Sequence, residues 1–251
     1  RGRKDPRARD LLKQIAAISI VRAQWGKDSA GATIAAAKTL RQEKADSFFI
    51  RESFELEIRA HLSKNDIAGA TGTIGAFEEK GKTDGMAEWA KSAEVMRARL
   101  LELQGKHREA LPIHRKYVRD RDAGEEATLG ELRCLKAIPD WPALNARAES
   151  VITESKSKKG GSVRLLTGAF NARAEAALNS GRAKEALLDF LQGVMVINKG
   201  GETSMEHEAA LAGGAVACAR VAAAEKEKPK KDTFRHRAQE LQAELEKFYP
   251  G

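Results

Sequence analysis

The spacing of its apolar residues constrains this chain more than any other feature of the sequence. Almost throughout, apolar side chains recur at intervals of three and four residues, which is the period of an α-helix. Met86, Trp89, Ala93, Met96 and Leu100 form one such row. Strong helix formers dominate the composition, and there are only 6 prolines among 251 residues. The sequence therefore predicts an all-α fold.

Turn signals divide the chain into twelve predicted helices, which pair into about six antiparallel hairpins. Short links near residues 26, 64, 105, 138 and 181 recur about 34 to 42 residues apart, and slightly longer links alternate with them. One hairpin cannot bury its own apolar face, so such units are stable only in series. We expect a single domain over residues 1–251, with the last helix capping the array. The expected hairpins cover residues 5–43, 46–80, 84–121, 125–155, 162–198 and 202–248.

The segment FNARAEAALNSGRAKEALLDFLQG, which begins at Phe170, carries the most specific motif. An aromatic residue early in its first helix is followed one turn later by Ala174, and Gly181 stands at the hairpin turn. Ala186 lies one turn into the second helix, and Phe190 follows one turn further. In this pattern the segment resembles a tetratricopeptide repeat. The two alanines would let the helices approach closely, and the two rings would fill the gaps beside them.

Other units match the motif less closely. In the second predicted hairpin the residues at the corresponding places of the motif are Phe54, Ile58, Asn65, Ala70 and Ile74. In the third predicted hairpin the corresponding residues are Ala98, Leu101, Gly105 and Ala110, and His114 takes the place of Phe190. The fourth offers Ala143 and no turn glycine.

The resemblance implies a right-handed α-solenoid, a non-enzymatic scaffold that binds a protein or peptide. In that family the first helices of the hairpins line a concave surface, where extended peptides bind. By alignment with the motif, the residues expected on this surface are Glu55, Arg59, Arg99, Asn171 and Glu175. The Lys/Asn clamp that some members use for C-terminal carboxylates is not recognisable here.

No arrangement typical of catalysis or of a cofactor or metal site occurs in the sequence. The histidines lack any His-Glu-x-x-His or Cys/His ligand spacing, although His107 and His114 would share a helix face. Cys134 and Cys218 stand in different predicted helices, and we expect two buried free thiols. We therefore expect no enzyme activity and no cofactor.

The net charge of +8 leaves a second function class open, a basic helical array that binds nucleic acid or another anionic polymer. Basic excess gathers in residues 1–10, 156–164 and 226–237, and we expect the last two runs to be solvated links. Aromatic residues do not interleave with these runs in a way that would stack bases, so this alternative is not favoured.

A third alternative is an accessory domain of a larger or exported protein, because the chain does not begin with Met. The compartment stays open between cytoplasm and export after removal of a signal peptide. No apolar run is long enough to span a bilayer, so we expect a soluble chain.

Two departures from regular helix are expected. Pro112 near the start of the sixth predicted helix should delay or kink that helix. Gly69, Gly72 and Gly75 recur at a spacing of three in the fourth predicted helix. Close packing against a neighbouring helix explains them best, and a contact surface for a peptide backbone is the alternative.

Overall fold

The chain is helical in a computed structural model that describes residue 15 and residues 17–20, 29–42, 47–157, 162–198 and 205–249. Turns join the helices, and these residues contain no strand, so the prediction of an all-α fold is confirmed. The chain divides into two compact units, Arg1–Gly124 and Glu125–Gly251. Most of the first predicted helix lies outside the described residues.

The helices follow one another with short links. In the first unit they are α1 (Ala30–Gln42), α2 (Ser47–Ser63), α3 (Ile67–Thr83), α4 (Ala87–Leu103) and α5 (His107–Tyr117). From the boundary onward they are α6 (Gly124–Ala137), α7 (Trp141–Ser157), α8 (Val163–Asn179), α9 (Ala183–Asn198), α10 (Met205–Ala224) and α11 (Lys228–Phe248). Consecutive helices pack together from α1 to α5 and from α7 to α11. In addition, α2 packs on α4 and α8 packs on α10, which are first helices of successive predicted hairpins.

The same hydrogen-bonded turn ends several of these helices. After α4, Gly105 has a φ of 74°, its N–H donates to Glu102 O over 2.9 Å, and Lys106 N donates to Leu101 O over 2.9 Å. This pair of bonds, closed around a left-handed residue, is the Schellman motif. The positions with the same arrangement after α2, α3 and α8 are Asn65, Gly85 and Gly181, with φ of 55°, 70° and 76°. After α6 only one of the two bonds forms. Asp140 N donates to Leu135 O, five residues earlier, but Pro139 has no N–H and cannot donate the other bond.

The left-handed residues lie at 65, 85 and 105, a spacing of 20 residues. The link between α3 and α4 is therefore as tight as the links on either side of it. The expected alternation of short and longer links is wrong here, because Gly85 closes the same turn between hairpins that Asn65 and Gly105 close within them.

Each unit has its own apolar core. In the first unit the rings of Phe54, Phe77 and Trp89 form a continuous stack, with centroids 5.1 and 5.5 Å apart. In the second unit Phe190 is buried together with Leu211 and other residues of α8 to α11. The Phe190 ring lies over Gly213, where a Cβ atom would fall well inside van der Waals contact with it.

The residues of the motif lie where the sequence places them. Ala174 and Ala186 are fully buried between α8 and α9, Phe170 and Phe190 are buried as well, and Gly181 forms the turn. In the hairpin of α6 and α7, Ala143 was predicted at the position of Ala186. The residue at that position is instead Leu144, which is fully buried.

The last helix begins earlier than predicted. The basic run 226–237 was expected to form a solvated link, but α11 starts within it, at Lys228, with a proline in its first turn. Proline is well suited to this position because its fixed φ matches the helix and the missing N–H would have no partner there. The basic run 226–237 is therefore mostly helix rather than a link.

Helix α11 packs on the core of the second unit by a single row. Leu241 is fully buried, and Phe234, Ala238, Leu245 and Tyr249 pack beside it, while most other side chains of the helix are exposed. At the end of this row the Tyr249 hydroxyl lies 2.9 Å from Nδ1 of the buried His207 in α10.

The unusual residues of α3 and α5 behave differently from one another. Close packing against a neighbouring helix explains Gly69, where a Cβ atom would collide with the His61 ring. This explanation is wrong for Gly72 and Gly75, which are exposed and where a Cβ atom would contact no other atom. Pro112 lies inside α5, which nevertheless begins at His107, so the prediction of a delayed start is wrong.

Both cysteines are buried and free of disulfides, as predicted.

Replacing Gly105 with Ala should lower the free energy of unfolding by about 1–2 kcal/mol, because a Cβ disfavours the left-handed conformation. The position is open, so steric contact would not contribute. Gly72→Ala is the matched control within a helix and should raise the free energy of unfolding by about 0.5–1 kcal/mol. Urea denaturation measures both, and equal losses for the two variants would contradict the turn.

Acidification should weaken the packing of α11. Burial lowers the pKa of His207 from its ordinary 6.5, although Glu244 opposes the shift. Neutral His207 therefore stabilises the fold fully above that pH, and the stability falls as the pH drops below it, by at most about 1.4 kcal/mol per pH unit.

We expect His207→Gln to flatten this decline in urea denaturation between about pH 6.5 and pH 5. His236→Gln, on the exposed side of α11, is the control and should keep the slope of the unaltered chain. A slope unchanged by His207→Gln would show that this histidine does not carry the pH dependence.

Candidate functional site

Buried charge is the main polar feature of both units. Five acidic side chains among the described residues are buried, and each contacts a basic side chain. They are Glu57, Glu102, Glu126, Glu131 and Asp189. A buried carboxylate is costly unless it is paired, so these contacts fix which helix faces can meet.

In the first unit, Glu57 of α2 joins three helices. The Arg41 guanidinium of α1 bonds its carboxylate and also lies 4.1 Å from the centre of the Phe54 ring. From α3, the Thr73 hydroxyl donates to Glu57 over 3.3 Å. The pair of α4 and α5 is held in a similar way, since His114 Nε2 lies 2.8 Å from the Glu102 carboxylate.

In the second unit, two successive hairpins have an ion pair at the same place with the charges exchanged. Glu131 of α6 accepts from Arg147 of α7 over 2.8 Å, and Arg173 of α8 donates to Asp189 of α9 at 2.7 and 2.8 Å. The partners are 16 residues apart in both pairs. Hydrogen bonding to Asp189 raises the pKa of Arg173, which burial alone would lower. The repetition shows that the two hairpins share one register.

Arg164 connects the first helices α6, α8 and α10 of this unit. Its guanidinium lies 2.9 Å from Glu126 and 3.5 Å from Glu125, both of α6, and 3.2 Å from Glu206 of α10. Burial disfavours the charged guanidinium, but the carboxylates of Glu126, Glu206 and Glu125 more than compensate, so the pKa of Arg164 rises. The three helices therefore lie side by side with polar contacts between them.

Further contacts hold α6 and α8 together. Lys136 Nζ of α6 lies 2.5 Å from Glu175 of α8, and a Cβ at Gly168 would collide with the Leu129 side chain of α6. We call the surface formed by Lys136, Arg164 and Glu175 on these helices the first-helix face of the second unit. Its charged side chains are partly exposed, so a partner could reach them.

Two of the residues predicted to bind a peptide lie on this unit. Glu175 belongs to the first-helix face and already pairs with Lys136. Asn171, one turn earlier, is buried, and its amide donates to Glu206 O over 2.7 Å. Asn171 therefore links α8 to α10 and offers little surface to a partner.

The other three lie in the first unit, where α2 and α4 are neighbours. Glu55 and Arg59 are half-buried on α2, one turn apart, and Glu55 lies 3.9 Å from the Arg51 guanidinium. Arg99 of α4 donates to the buried Glu102 over 2.7 Å. All three are less exposed than a freely solvated surface charge, and each has a partner within the chain.

Sequence reasoning missed Arg164 and Lys136, which make the helix-to-helix contacts. Arg164 stood in a basic run that was expected to be a solvated link. One signal could have found it: a cation in the first turn of a helix is disfavoured by the helix dipole unless acidic partners are near. The adjacent glutamates 125 and 126 begin the first helix of the preceding hairpin and supply them.

Comparison with known proteins adds no relative to these observations. No family model matches the sequence, and no curated protein matches it. Among the described helices, none combines the length and apolar character that crossing a membrane requires.

Arg164→Met should lower the free energy of unfolding by about 3 kcal/mol, because it leaves Glu126 and Glu206 near each other without a shared cation. Arg182→Met is the control, since Arg182 forms only an exposed pair with Glu185, and should change stability by less than about 1 kcal/mol. Urea denaturation at neutral pH measures both. Similar small losses would mean that Arg164 does not join the three helices.

Proposed function

We propose that the chain is a non-enzymatic scaffold of tetratricopeptide-like repeats that binds a protein or peptide on its first helices. Support for the repeat comes from the recurring turn and from the buried motif residues of α8 and α9. The contacts of α2 with α4 and of α8 with α10 add to it, since stacked hairpins place their first helices next to each other.

One observation carries the proposal: charged side chains cross from one first helix to the next throughout the second unit. Arg164 spans α6, α8 and α10, and Lys136 reaches from α6 to α8. Side chains restrained in this way lose little conformational freedom when a partner arrives, which favours binding. The first-helix face thereby offers charges of both signs at fixed positions.

The polar groups of the interior support a scaffold rather than a catalyst. His114 is fully buried against Glu102, and His61 is buried against Glu57 and Asp66. Both histidines therefore serve contacts within or between helices. A general base must reach the proton of a bound substrate, and neither ring is exposed enough to do so.

Helix α11 fits the part of a terminal cap in this proposal. It covers the core of the second unit with one apolar row and turns charged side chains outward. An array of repeats needs such an end, because the last hairpin would otherwise expose its apolar face to water.

A displayed peptide library selected on the full chain tests the proposal. Peptides that bind should lose affinity about 10-fold or more for the exchange variant Lys136→Glu with Glu175→Lys. This variant keeps an ion pair between α6 and α8 and reverses the charges that the first-helix face presents. Isothermal titration calorimetry measures the affinities.

The matched control exchanges Arg182 and Glu185, an exposed pair at the start of the second helix α9 whose atoms are 2.7 Å apart. It should leave the affinity unchanged. Selection of no binding peptide, or equal losses from the two exchanges, would contradict binding on the first-helix face.

A further inference from the structure

Within the part of the chain that the structure describes, almost all arginines are engaged by other residues of the chain. Among the described residues, fourteen of the seventeen have an ion pair, a hydrogen bond or another electrostatic or ring partner. The three without one are Arg108, Arg119 and Arg121. They fall within a single stretch of α5 and the turn that follows it.

This stretch, residues 106–121, is the α5 basic segment. It has six basic and two acidic residues, and each of the six basic side chains is exposed. One acidic residue, Asp120, is already bound by Lys91 of α4 at 2.8 Å, which lowers the pKa of its carboxyl group. Little negative charge is therefore left to neutralise the unpaired arginines.

The stability of α5 does not explain these arginines. Arg108 lies in the first turn, where the helix dipole disfavours a cation. Arg119 and Arg121 lie beyond the last helical residue, Tyr117, and contribute no side-chain bond to the turn. Their side chains are exposed, so their charge is available to a partner outside the chain.

The dimensions and the residue type indicate what that partner is. Arg108 and Arg115 share a face of α5 at a spacing of seven residues, which is about 10 Å along the helix, and Arg119 and Arg121 follow in the turn beyond it. An extended peptide of about five residues is about 16 Å long, enough to pass both arginines of the helix face, and its alternate side chains lie about 6–7 Å apart. A guanidinium binds a carboxylate through two parallel hydrogen bonds, which an ammonium cannot do.

We propose that the α5 basic segment is a docking surface for an acidic peptide segment of a partner protein, with carboxylates at about every second residue. Charge complementarity between the unpaired arginines and those carboxylates carries the inference. A nucleic acid is the less suitable partner, because single strands bind largely by stacking on exposed aromatic rings. In this segment Tyr117 is buried, and its hydroxyl bonds to Glu94. The docking surface goes beyond the binding proposed for the first-helix face and stands independently of it.

Fluorescence anisotropy with a labelled (Glu-Ala) repeat peptide tests the proposal on the full chain. At low salt the peptide should bind, and R108E/R119E/R121E should weaken binding about 10-fold or more. The control R182E/R235E/R237E makes the same change in net charge at exposed arginines that have partners, and it should weaken binding by less than about 3-fold. R108K/R119K/R121K keeps the charge and should give an intermediate loss, because lysine lacks the paired donors.

Several outcomes would overturn the proposal. The first is that the unaltered chain does not bind the peptide, and the second is that the two glutamate variants lose the same amount of affinity for it. The third is that R108E/R119E/R121E loses binding to a labelled oligonucleotide of equal charge but keeps its binding to the peptide. Folding is checked by circular dichroism. The thermal midpoint of R108E should not fall, since an acidic residue in the first turn is favourable there.

Discussion

One hydrogen-bonded turn sets the spacing of the helices on which the rest of the structure depends. A residue in the left-handed conformation lets two amides reach back to the last turn of the helix, and the chain leaves in a direction that brings the next helix alongside. Between α2 and α5 this turn recurs every 20 residues, with three-residue links. Helices of similar length therefore lie against their neighbours, and each can bury an apolar row that it could not bury alone.

Buried ion pairs then select which faces meet. An apolar row tolerates small rotations of a helix, but a buried carboxylate does not, since loss of its partner leaves an uncompensated charge. Glu57, Glu102, Glu131 and Asp189 each bond to a neighbouring helix, and Arg164 links three. In the second unit Arg164 also brings the first helices together, so one of the interactions that fix the register is also part of the surface proposed to bind a partner.

Much of the fold could be predicted because it rests on local signals. Apolar spacing located the helices, and Gly105 and Gly181 marked turns that the structure confirms. The turn at Gly85 was missed because the prediction expected a tight turn once per hairpin, whereas here a tight turn follows every helix. The start of α11 was missed because lysines around a proline read as a solvated link.

The candidate site was harder to predict because it depends on contacts between distant residues. Whether Glu175 is a free charge or a partner of Lys136 depends on how α6 meets α8, 39 residues apart in sequence. Asn171 was expected on an open surface, and tertiary packing places it against Glu206 instead. By contrast, the three described arginines without partners stand out only against the contacts of the other described arginines, and those contacts depend on tertiary packing.

Amide hydrogen exchange at Asp66, Met86, Lys106 and Arg182 tests the recurring turn most directly. In the structure each of these amides donates to a carbonyl oxygen five residues earlier, at 2.7 to 2.9 Å. They should therefore exchange far more slowly than exposed amides of linkers, although they stand outside the regular helices. Exchange at the rate of unprotected peptide amides at all four positions would contradict the turn, and with it the spacing of helices that depends on this turn in each unit.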